Sequence, residues 1–449
     1  MPIRNSRRRF LQQSAVAAGT VIWPVPALIG AIGQDELLRI AVIGVAHRGR
    51  ANLMGVKHQR IVALCDVDEA QLGAAGREFA RAKTFLDFRK MLEQVEREID
   101  AVVVSTPDHT HALPSVMAMR MGKHCYCEKP LTHSVYEARL VAETARQTKV
   151  ATQIGTQIHA GDNYRRVVEL VQAGAIGPIA EVHVWSAASY GRQSGRPQET
   201  PPVPPGLHWD LWLGPAPQRP YHPDYLPGRW RAWWDFGNGA LGDFGCHYMD
   251  LPFWALGLRY PTRVEVLDGP LPQAETTPAW LVVRYTFPGQ NGRPALKLTW
   301  YHGGKQPAML PEILPSAKAV AASVKARQPG PPVPWKSGVL FVGTKGLIVA
   351  DYSRHLLLPE KQFADFRPPP RTIPDSVGHH EEWIRACKSG EPTTCRFDYS
   401  GPLTEVALLG NVAYRAQSPL EWDARSLKPT NDPAAEAYLR RDYRPGWTL

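Results

Sequence analysis

Apolar segments rich in β-branched residues alternate with segments of helical composition between residues 38 and 157 of this 449-residue chain. This alternation constrains the fold more than any other feature, because parallel strands require long crossover connections that are usually helices. Strands buried on both faces read as near-continuous apolar runs. The sequence therefore predicts a doubly wound parallel sheet of the α/β Rossmann class, with strands at Leu38–Ile43, Ile61–Cys65, Asp100–Ser105, His124–Cys127 and Val150–Ile154 and a short one at Thr84-Phe85.

A glycine-containing turn joins the first predicted strand to a helix, which is the context that a dinucleotide-binding fingerprint requires. Gly44 permits the tight turn, and Gly49 lets the helix pack close to the strand. Ala46 stands where a glycine usually lets the backbone approach a pyrophosphate, and Arg48 lies in the same turn. The turn predicts a dinucleotide site. In this site the methyl group of Ala46 occupies space that a glycine would leave free for the pyrophosphate.

The second predicted strand ends in Asp66, about 20 residues after the glycines. A carboxylate at this position accepts hydrogen bonds from the adenosine ribose hydroxyls and repels a 2′-phosphate. It predicts NAD rather than NADP as the cofactor. The alternative is that Asp66 caps the helical segment that follows, where Asp68 and Glu69 lie.

Polar residues also follow the later strands, at the edge of the sheet where open α/β folds bind ligands. Residues 106–111 (Thr-Pro-Asp-His-Thr-His) and residues 155–157 (Gly-Thr-Gln) each follow an apolar strand. Glu128 and Lys129 follow the strand His124–Cys127, and Pro130 ends that strand. We interpret Lys129 as a functional residue at this edge; the alternative is an exposed charged pair at a strand end.

The stretch Gly239–Leu256 predicts one helix, on which Asp243 and His247 lie on the same face, one turn apart. A carboxylate beside an imidazole holds its tautomer and stabilises its charged form, which suits a general base or acid near neutral pH. The alternative is an ordinary Asp–His helix pair or a cap. Asp243 and His247 are therefore a second candidate catalytic group.

The remainder of the chain predicts an α+β domain with an open, mainly antiparallel sheet. Residues 190–240 within it are rich in Pro, Trp and Tyr. These residues are interpreted as the wall of a carbohydrate site, as a proline-stapled surface or as a subunit contact. Period-two patterning places strands at Ile179–Ala187, Thr262–Val266, Trp280–Phe287, Ala295–Tyr301 and Leu340–Ala350, the last with a tight turn at residues 343–346.

The N-terminus carries the run Ser-Arg-Arg-Arg-Phe-Leu at residues 6–11, before an uncharged, largely apolar segment. This is the twin-arginine export pattern, with a basic arm before a signal anchor as the alternative. No later apolar run approaches the ~20 residues of a membrane span, so we expect a periplasmic protein without a stable span. The predicted organisation is a signal peptide at 1–33, an NAD-binding domain at 34–160, a substrate-binding and dimerisation domain at 161–428 and a C-terminal tail at 429–449.

Charge and cysteine usage exclude other classes of protein. The net charge of +10 becomes 10 − 4 = +6 without the four arginines of the predicted signal. Beyond that signal there is no block of like charges and no basic patch with interleaved aromatics, so no nucleic-acid partner is expected. The six cysteines lack CxxC or Cys/His spacing, and the adjacent residues His379, His380 and Glu381 do not converge on a helix. No metal site is predicted.

The Rossmann start, the Thr-Pro-Asp-His-Thr-His segment and Glu-Lys-Pro after the fifth strand together resemble the Gfo/Idh/MocA oxidoreductases, from Leu38 to about Arg415. The resemblance implies Lys129, Asp243 and His247 as catalytic residues and a homodimer or homotetramer. It also implies that Lys129 contacts both the substrate and the nicotinamide end of the cofactor. The expected NAD-binding residues are Gly44, Ala46, Arg48, Gly49, Asp66, Thr106, Pro107, His111, Glu128, Lys129 and Gln157.

The leading hypothesis is an exported NAD-dependent oxidoreductase that acts on a secondary alcohol of a sugar, sugar derivative or polyol, with a tightly bound cofactor. His247 would accept the hydroxyl proton, Asp243 would orient His247, and Lys129 would stabilise the charge that develops on the oxygen. One alternative is an NAD-dependent glycoside hydrolase that uses transient oxidation at C3 and elimination. Another is a non-catalytic NAD-binding sensor or scaffold, which the presence of all three residues disfavours.

Overall fold

The computed structural model describes residue 33 and residues 36–192, 195–290, 292–314 and 335–449. The predicted twin-arginine motif lies outside these residues. The first part of the described chain forms a six-stranded parallel sheet covered by helices. Its strands are β1 Arg39–Ile43, β2 Arg60–Cys65, β3 Lys83–Phe85, β4 Ala101–Val104, β5 His124–Cys127 and β6 Thr152–Ile154; its helices are α1 Arg48–Val56, α2 Glu69–Glu78, α3 Phe88–Val95, α4 Ala112–Arg120 and α5 Val135–Thr148.

The strand order β3-β2-β1-β4-β5-β6 confirms the predicted doubly wound sheet. The order reverses between β1 and β4, and open α/β sheets bind ligands at such a switch point, outside the carboxyl ends of the strands. The predicted dinucleotide turn follows β1, the polar segment 106–111 follows β4, and Glu128 follows β5. The topology therefore brings these three segments to one crevice.

The second sheet has nine strands in the order β13-β12-β11-β7-β10-β9-β8-β14-β15. β7 and β10 pair in parallel, and the other neighbours pair antiparallel, which confirms a mainly antiparallel sheet. Its strands are β7 Ile179–Ser186, β8 Arg263–Asp268, β9 Leu281–Phe287, β10 Leu296–His302, β11 Gly338–Gly343, β12 Gly346–Ala350, β13 His355–Leu358, β14 Leu420–Asp423 and β15 Lys428–Pro429. The accompanying helices are α6 Asp162–Gln172, α7 Trp209–Leu213, α8 Gly239–Tyr248, α9 Asp250–Leu256, α10 Leu310–Ile313, α11 His379–Ser389 and α12 Phe397–Ala416.

The predicted helix Gly239–Leu256 is two helices, α8 and α9, which meet at Met249. Pro252 explains the break, because it has no N–H to donate to the carbonyl of Tyr248 and its ring would crowd that carbonyl. The single-helix prediction was therefore wrong at this point. Asp243 and His247 nevertheless both lie on α8.

The long helix α12 joins the two sheets into one molecule. It begins at Phe397, although Pro402 lies inside it. The helix tolerates this proline because the carbonyl of Asp398, which loses its helical donor, accepts a hydrogen bond from Arg259 Nη1 at 2.7 Å. A Cβ on Gly401 would lie 2.7 Å from the Cβ of Ala142, so α12 packs closely on α5. The same helix contacts α8 and thereby fixes α8 relative to the parallel sheet.

Two late segments also pack on the parallel sheet. Trp383 and Ile384 of α11 are buried in the apolar cluster that contains Leu38 and Val42. In the C-terminal tail, the ring of Trp447 lies 6.0 Å from that of Phe88. The first sheet is thus completed by residues from the far end of the chain. None of the described helices is both long and apolar enough to cross a membrane.

Candidate active site

A cleft of about 730 Å³ lies at the switch point of the parallel sheet, within the usual size range of small-molecule sites. One wall contains Gly44, Asp66 and Thr106, which follow β1, β2 and β4. Lys129, which follows β5, lies at one end. The opposite wall is formed by residues between 207 and 231 of the second domain. The cleft therefore lies between the two domains.

The turn after β1 can be built only with glycine at two positions. Gly44 has a φ of +81°, and a Cβ there would lie 2.7 Å from the carbonyl oxygen of Ser105. A Cβ on Gly49 would lie 2.1 Å from the carbonyl oxygen of Gly44. Gly49 therefore serves close packing of α1 on the turn, while Gly44, Ala46 and Arg48 line the cleft. This cradle fits the pyrophosphate of a dinucleotide.

Asp66 lines the other end of the cleft. Its Oδ2 accepts from the N–H of Val45 at 2.9 Å, and its Oδ1 accepts from the N–H of Asp68 at 3.1 Å. Burial raises the pKa of Asp66, and these backbone donors oppose that rise. The cap of α2 is Asp68, which accepts from the N–H groups of Ala70 and Gln71, so the capping alternative for Asp66 was wrong. Asp66 fits the role of a ribose-binding carboxylate.

Glu128 lines the cleft and is the centre of a buried hydrogen-bond network beside it. Its Oε1 accepts from Arg48 Nε at 3.0 Å, from Asn52 Nδ2 at 2.9 Å and from Gln157 Nε2 at 2.9 Å. Burial alone would raise the pKa of Glu128, but the charges of Arg48 and Lys129 bring it below its usual value. Gln157 therefore supports Glu128 and does not line the cleft itself.

His111 is also a supporting residue, and its predicted contact with the cofactor needs correction. The ring is buried, with Nδ1 2.7 Å from the carbonyl oxygen of Pro130 and Nε2 2.6 Å from that of Thr106. Burial lowers its pKa, and the two carbonyls oppose that shift. Because both nitrogens are engaged by the backbone, His111 ties the segment after β4 to the segment after β5. Thr106 and Pro107 line the cleft, and His111 does not.

At the Lys129 end, three polar side chains converge on one buried carboxylate, that of Asp243. Lys129 Nζ donates to Asp243 Oδ1, and the hydroxyl of Tyr190 donates to Oδ2 at 2.6 Å. Arg231 Nε lies 3.2 Å from the same Oδ2. Burial would raise the pKa of Asp243, but the charges of Lys129 and Arg231 hold it well below its usual range. Asp243 is therefore an anion that positions two cations.

The predicted pairing of Asp243 with His247 is not formed. Within the described part of the chain, Asp243 pairs with Lys129, Tyr190 and Arg231, and no hydrogen bond joins it to His247. The physical reason is that these three partners already engage both carboxylate oxygens. His247 Nδ1 is buried without a partner among the described residues. Burial lowers the pKa of His247 to about 3, with a further contribution from Lys129, so its ring is neutral at pH 7.

Three residues of this end were missed as site residues by sequence reasoning. Tyr190 and Arg231 lie in the long connection between β7 and α8, which has no periodic pattern that could have pointed to them. Asp108 did have a signal, since it belongs to the polar segment after β4. It lines the cleft and is 3% exposed. Burial raises its pKa to about 7; the charge of Arg231 opposes this rise and that of Asp243 adds to it.

The aromatic-rich stretch packs against itself and covers the cleft from above. The rings of Trp209 and Trp212 stack with centroids 4.7 Å apart, and Trp212 and Trp230 line the cleft opposite Asp66. Two other rings, Phe244 and Tyr352, contact His247 on the second domain. Phe244 lies 6.4 Å from the Tyr190 ring, and Tyr352 stacks on Tyr248 with centroids 4.6 Å apart. The stretch 209–236 therefore contributes to one wall of the predicted dinucleotide site.

The described residues contain no cluster of three His, Cys, Asp or Glu side chains able to hold a metal ion. The cleft instead combines a glycine cradle with a carboxylate after β2 and a lysine–aspartate pair between two domains. This combination defines a two-domain NAD-binding oxidoreductase. Two family profiles agree: an oxidoreductase family NAD-binding Rossmann fold matches residues 38–156, and an oxidoreductase family C-terminal alpha/beta domain matches residues 161–292. The chain belongs to the Gfo/Idh/MocA family, and its first domain is an NAD-binding Rossmann fold.

Curated relatives match part of the chain. It is 28% identical over 258 residues to glycosyl hydrolase family 109 protein 1 of Shewanella sp. (strain ANA-3), covering 51% of this chain and 50% of the relative. It is 28% identical over 203 residues to the α-N-acetylgalactosaminidase of Shewanella oneidensis, covering 38% and 44%. It is 27% identical over 157 residues to the inositol 2-dehydrogenase of Salmonella typhimurium, covering 34% and 43%. The chain thus spans about half the length of these relatives, or less.

Solved structures show the same fold over most of the chain. The WlbA dehydrogenase of Bordetella pertussis, in complex with NADH and UDP-GlcNAcA, has a TM-score of 0.58 at 17% identity, covering 86% of this chain and 99% of that one. The myo-inositol 2-dehydrogenase of Lactobacillus plantarum has a TM-score of 0.55 at 16% identity, covering 86% and 100%. At these identities the likeness concerns the fold alone.

Proposed function

We propose that the chain is an exported NAD-dependent enzyme that transfers a hydride at a secondary alcohol carbon of a sugar, sugar derivative or polyol. The observation that carries this proposal is the convergence of Lys129, Tyr190 and Arg231 on Asp243 at one end of the dinucleotide cleft. NAD supplies the hydride-accepting chemistry, and the protein aligns the reacting groups.

Different side chains accept the proton and stabilise the charge in this reaction. Lys129 presents an ammonium that donates to the substrate oxygen and stabilises negative charge developing there. His247 is neutral at pH 7, and a neutral imidazole is the form that can accept the hydroxyl proton. Asp243 holds Lys129 and Arg231 in place as a buried anion.

Aromatic rings beside His247 support a carbohydrate or cyclitol substrate. The Tyr352 ring lies 6.1 Å from the His247 ring, and the Phe244 ring lies 6.0 Å from it. Apolar faces of sugar rings stack on such side chains. The names of the relatives agree, since they include an α-N-acetylgalactosaminidase and an inositol 2-dehydrogenase. The substrate is therefore proposed to be a polyhydroxylated ring.

A second scheme uses the same residues without net oxidation. Oxidation at C3 of a glycoside acidifies the C2 proton, which allows elimination of the leaving group; water then adds and the hydride returns to the sugar. The similarity to glycosyl hydrolase family 109 proteins favours this scheme. Export favours it too, because free NAD is scarce outside the cytoplasm and a closed cycle needs no replacement cofactor.

One screen separates the two schemes. Purified holoprotein is offered free sugars, polyols and aryl glycosides, and both nicotinamide absorbance and the released leaving group are followed. Net cofactor reduction identifies a dehydrogenase, whereas a released leaving group without net reduction identifies a closed cycle. Binding of these compounds without either signal would favour the non-catalytic alternative and contradict the proposed function.

Export and assembly have their own tests. We expect the full-length chain to be found in the periplasm, and the double variant Arg7→Lys, Arg8→Lys to remain in the cytoplasm, because the paired arginines are read by the export machinery. Equal amounts of both proteins in the periplasm would contradict a twin-arginine route. Light scattering of the purified protein tests the proposed homodimer or homotetramer.

A further inference from the structure

Residues 203–231, named here the cofactor roof, cross the dinucleotide cleft from the Asp66 end to the Lys129 end. The roof contributes one whole wall of the cleft, opposite the glycine turn and the segment after β4. The wall is mainly apolar and contains Leu207, Leu211, Trp212, Leu226, Pro227 and Trp230. A dinucleotide lying on the Rossmann sheet would therefore be enclosed between the sheet and the roof.

The roof is fastened to the Rossmann domain at the Asp66 end. Leu207 and Asp68 form an antiparallel bridge. The N–H of His208 donates to the Val67 carbonyl at 2.9 Å, and the N–H of Glu69 donates to the Gly206 carbonyl at 2.9 Å. His208 Nε2 also lies 2.7 Å from Glu69 Oε1. These contacts hold the roof against the Rossmann domain directly after Asp66, the proposed ribose-binding carboxylate.

The roof is fastened a second time beside the segment that follows β4. His109 is fully buried, and its Nε2 lies 2.9 Å from the carbonyl oxygen of Trp212. Burial lowers the pKa of His109 to about 3, so the ring is neutral and donates to this carbonyl from Nε2. Gly214 has a φ of +53°, and a Cβ there would lie 2.7 Å from Thr110 Cγ2. The roof and the Rossmann domain are thus in close contact at two places, residues 206–208 and residues 212–214 of the roof.

The C-terminal tail closes the roof from outside through one arginine. Arg444 donates from Nη1 to Asp210 Oδ1 at 2.6 Å and to Gln218 Oε1 at 2.9 Å, and from Nε to the Gly214 carbonyl at 2.5 Å. The Arg444 side chain is 15% exposed. Asp210 is 67% exposed, so the hold of Arg444 on the roof comes from several charge-assisted hydrogen bonds made by one guanidinium and not from burial. Arg444 therefore links the roof to a tail that itself packs on the parallel sheet.

We propose that the cofactor roof retains NAD between turnovers. Arg444 and His208, named here the latches, are the two side chains that hold the roof closed. Lifting of the roof would let NAD leave this cleft, and it requires the attachments at residues 206–208 and 212–214 to open. The latches therefore act on the dissociation rate of NAD, which is where most affinity differences between related complexes arise. The inference depends on NAD binding by the Rossmann domain and is independent of the substrate.

The test measures release of NAD from the holoenzyme in the absence of substrate. Enzyme loaded with radiolabelled NAD is diluted into excess unlabelled NAD, and bound label is followed over time. We expect Arg444→Ala to accelerate release on the order of tenfold, because it removes several charge-assisted hydrogen bonds to the roof. We expect His208→Ala to accelerate it by about two- to threefold, because the exposed pair with Glu69 is lost while the backbone hydrogen bond to Val67 remains. Arg440→Ala is the matched control, since Arg440 lies in the same tail but packs 4.5 Å over the Tyr136 ring and should not change the rate.

Three results would overturn the proposal. One is an unchanged release rate in both latch variants with a native circular dichroism spectrum. Another is an acceleration in Arg440→Ala as large as in Arg444→Ala, which would show a general effect of the tail. If Arg444→Ala does not fold, His208→Ala decides alone, because His208 is 37% exposed and its loss removes no core contact; unchanged release in that variant overturns the proposal. Since no substrate is present, failure here is separate from failure of the proposed function.

Discussion

The two ends of the cleft are built in different ways. At the Asp66 end, the carboxylate is held by the backbone N–H of Val45, which lies 21 residues away in the chain. At the Lys129 end, Asp243 is held by Lys129, 114 residues away, and by Tyr190, 53 residues away. The first end is a property of one strand–turn–helix unit, and the second exists only when the two domains pack together.

Because of this difference, we expect the Asp66 end to bind the cofactor and the Lys129 end to carry the reaction. Backbone donors and glycine geometry at the Asp66 end can recognise a dinucleotide but carry no group that moves a proton. The Lys129 end concentrates two cations around one buried anion, and a charge removed there leaves a buried partner uncompensated. Substitutions at the first end should therefore change cofactor selection, and those at the second should change turnover.

The largest effect is expected for Lys129→Met, which keeps the length of the side chain but removes its charge. Turnover should fall at least about a thousandfold, because the developing charge on the substrate oxygen loses its cation. NAD binding, measured by protein fluorescence quenching, should persist, since Asp243 retains Arg231 and Tyr190. Lys123→Met, at the start of the same strand and outside the cleft, should leave turnover intact. Wild-type turnover by the Lys129 variant would refute its catalytic role.

Sequence reasoning reached the Asp66 end and the sheet that carries it, because both depend on local patterns. The periodicity of β1 to β6 predicted the doubly wound sheet, and Gly44, Asp66 and Lys129 do line one cleft. Sequence reasoning failed where the decisive contact joins residues that are far apart in the chain. The spacing of Asp243 and His247 suggested a pair, yet the chain gave no indication that Tyr190 and Arg231 would engage Asp243 first.

The same limit applies to the fold. Strands β13 and β14 are only four residues each, too short for a period-two pattern to stand out, and their pairing depends on neighbouring strands. Pro402 by itself disfavours a helix that begins as early as Phe397, because a proline inside a helix removes one backbone hydrogen bond. Arg259, far away in the chain, supplies the donor that makes the longer helix acceptable.

A double-mutant cycle on Asp243 and Tyr190 gives the next largest effect. We expect Asp243→Asn to lower kcat about a hundredfold, because Lys129 and Arg231 lose their shared anion. Tyr190→Phe should lower kcat roughly tenfold by removing one hydrogen bond to Asp243. If Tyr190 acts through Asp243, the double variant should be no slower than Asp243→Asn. Strictly additive losses would show that Tyr190 acts on the substrate independently.

The Asp66 end should respond in cofactor preference. We expect Asp66→Ala to reduce the ratio of NAD to NADP affinity by about tenfold or more, because a repulsive carboxylate and a ribose acceptor are both removed. The kcat at saturating NAD should change little. Asp87→Ala is the matched control: it removes the cap of α3, a residue that does not line the cleft, and should cost about 1 kcal/mol of stability without altering the ratio. An unchanged ratio in Asp66→Ala would show that Asp66 does not read the ribose.

The smallest effect concerns Asp108, the only one of the missed residues that belongs to the Rossmann domain. Its pKa is about 7 in the folded protein, raised by burial, whereas an unfolded chain releases the proton near pH 4. The folded state therefore binds more protons between these values, so Asp108 lowers stability progressively as pH rises from about 4 to 7, and fully above 7.

Replacing this carboxyl with a neutral amide should remove the pH-dependent penalty. Thermal unfolding at saturating NAD should show the stability of Asp108→Asn relative to wild type rising by roughly 3 kcal/mol between pH 5 and pH 8, because each pH unit below a pKa of about 7 contributes about 1.4 kcal/mol. Asp375→Asn, in an exposed pair with Arg371, should show no such divergence. A constant difference at both pH values would mean that Asp108 is ionised throughout. The Lys129 end would then hold two anions against its two cations, and Asp108 would belong with Asp243 in positioning Lys129 and Arg231.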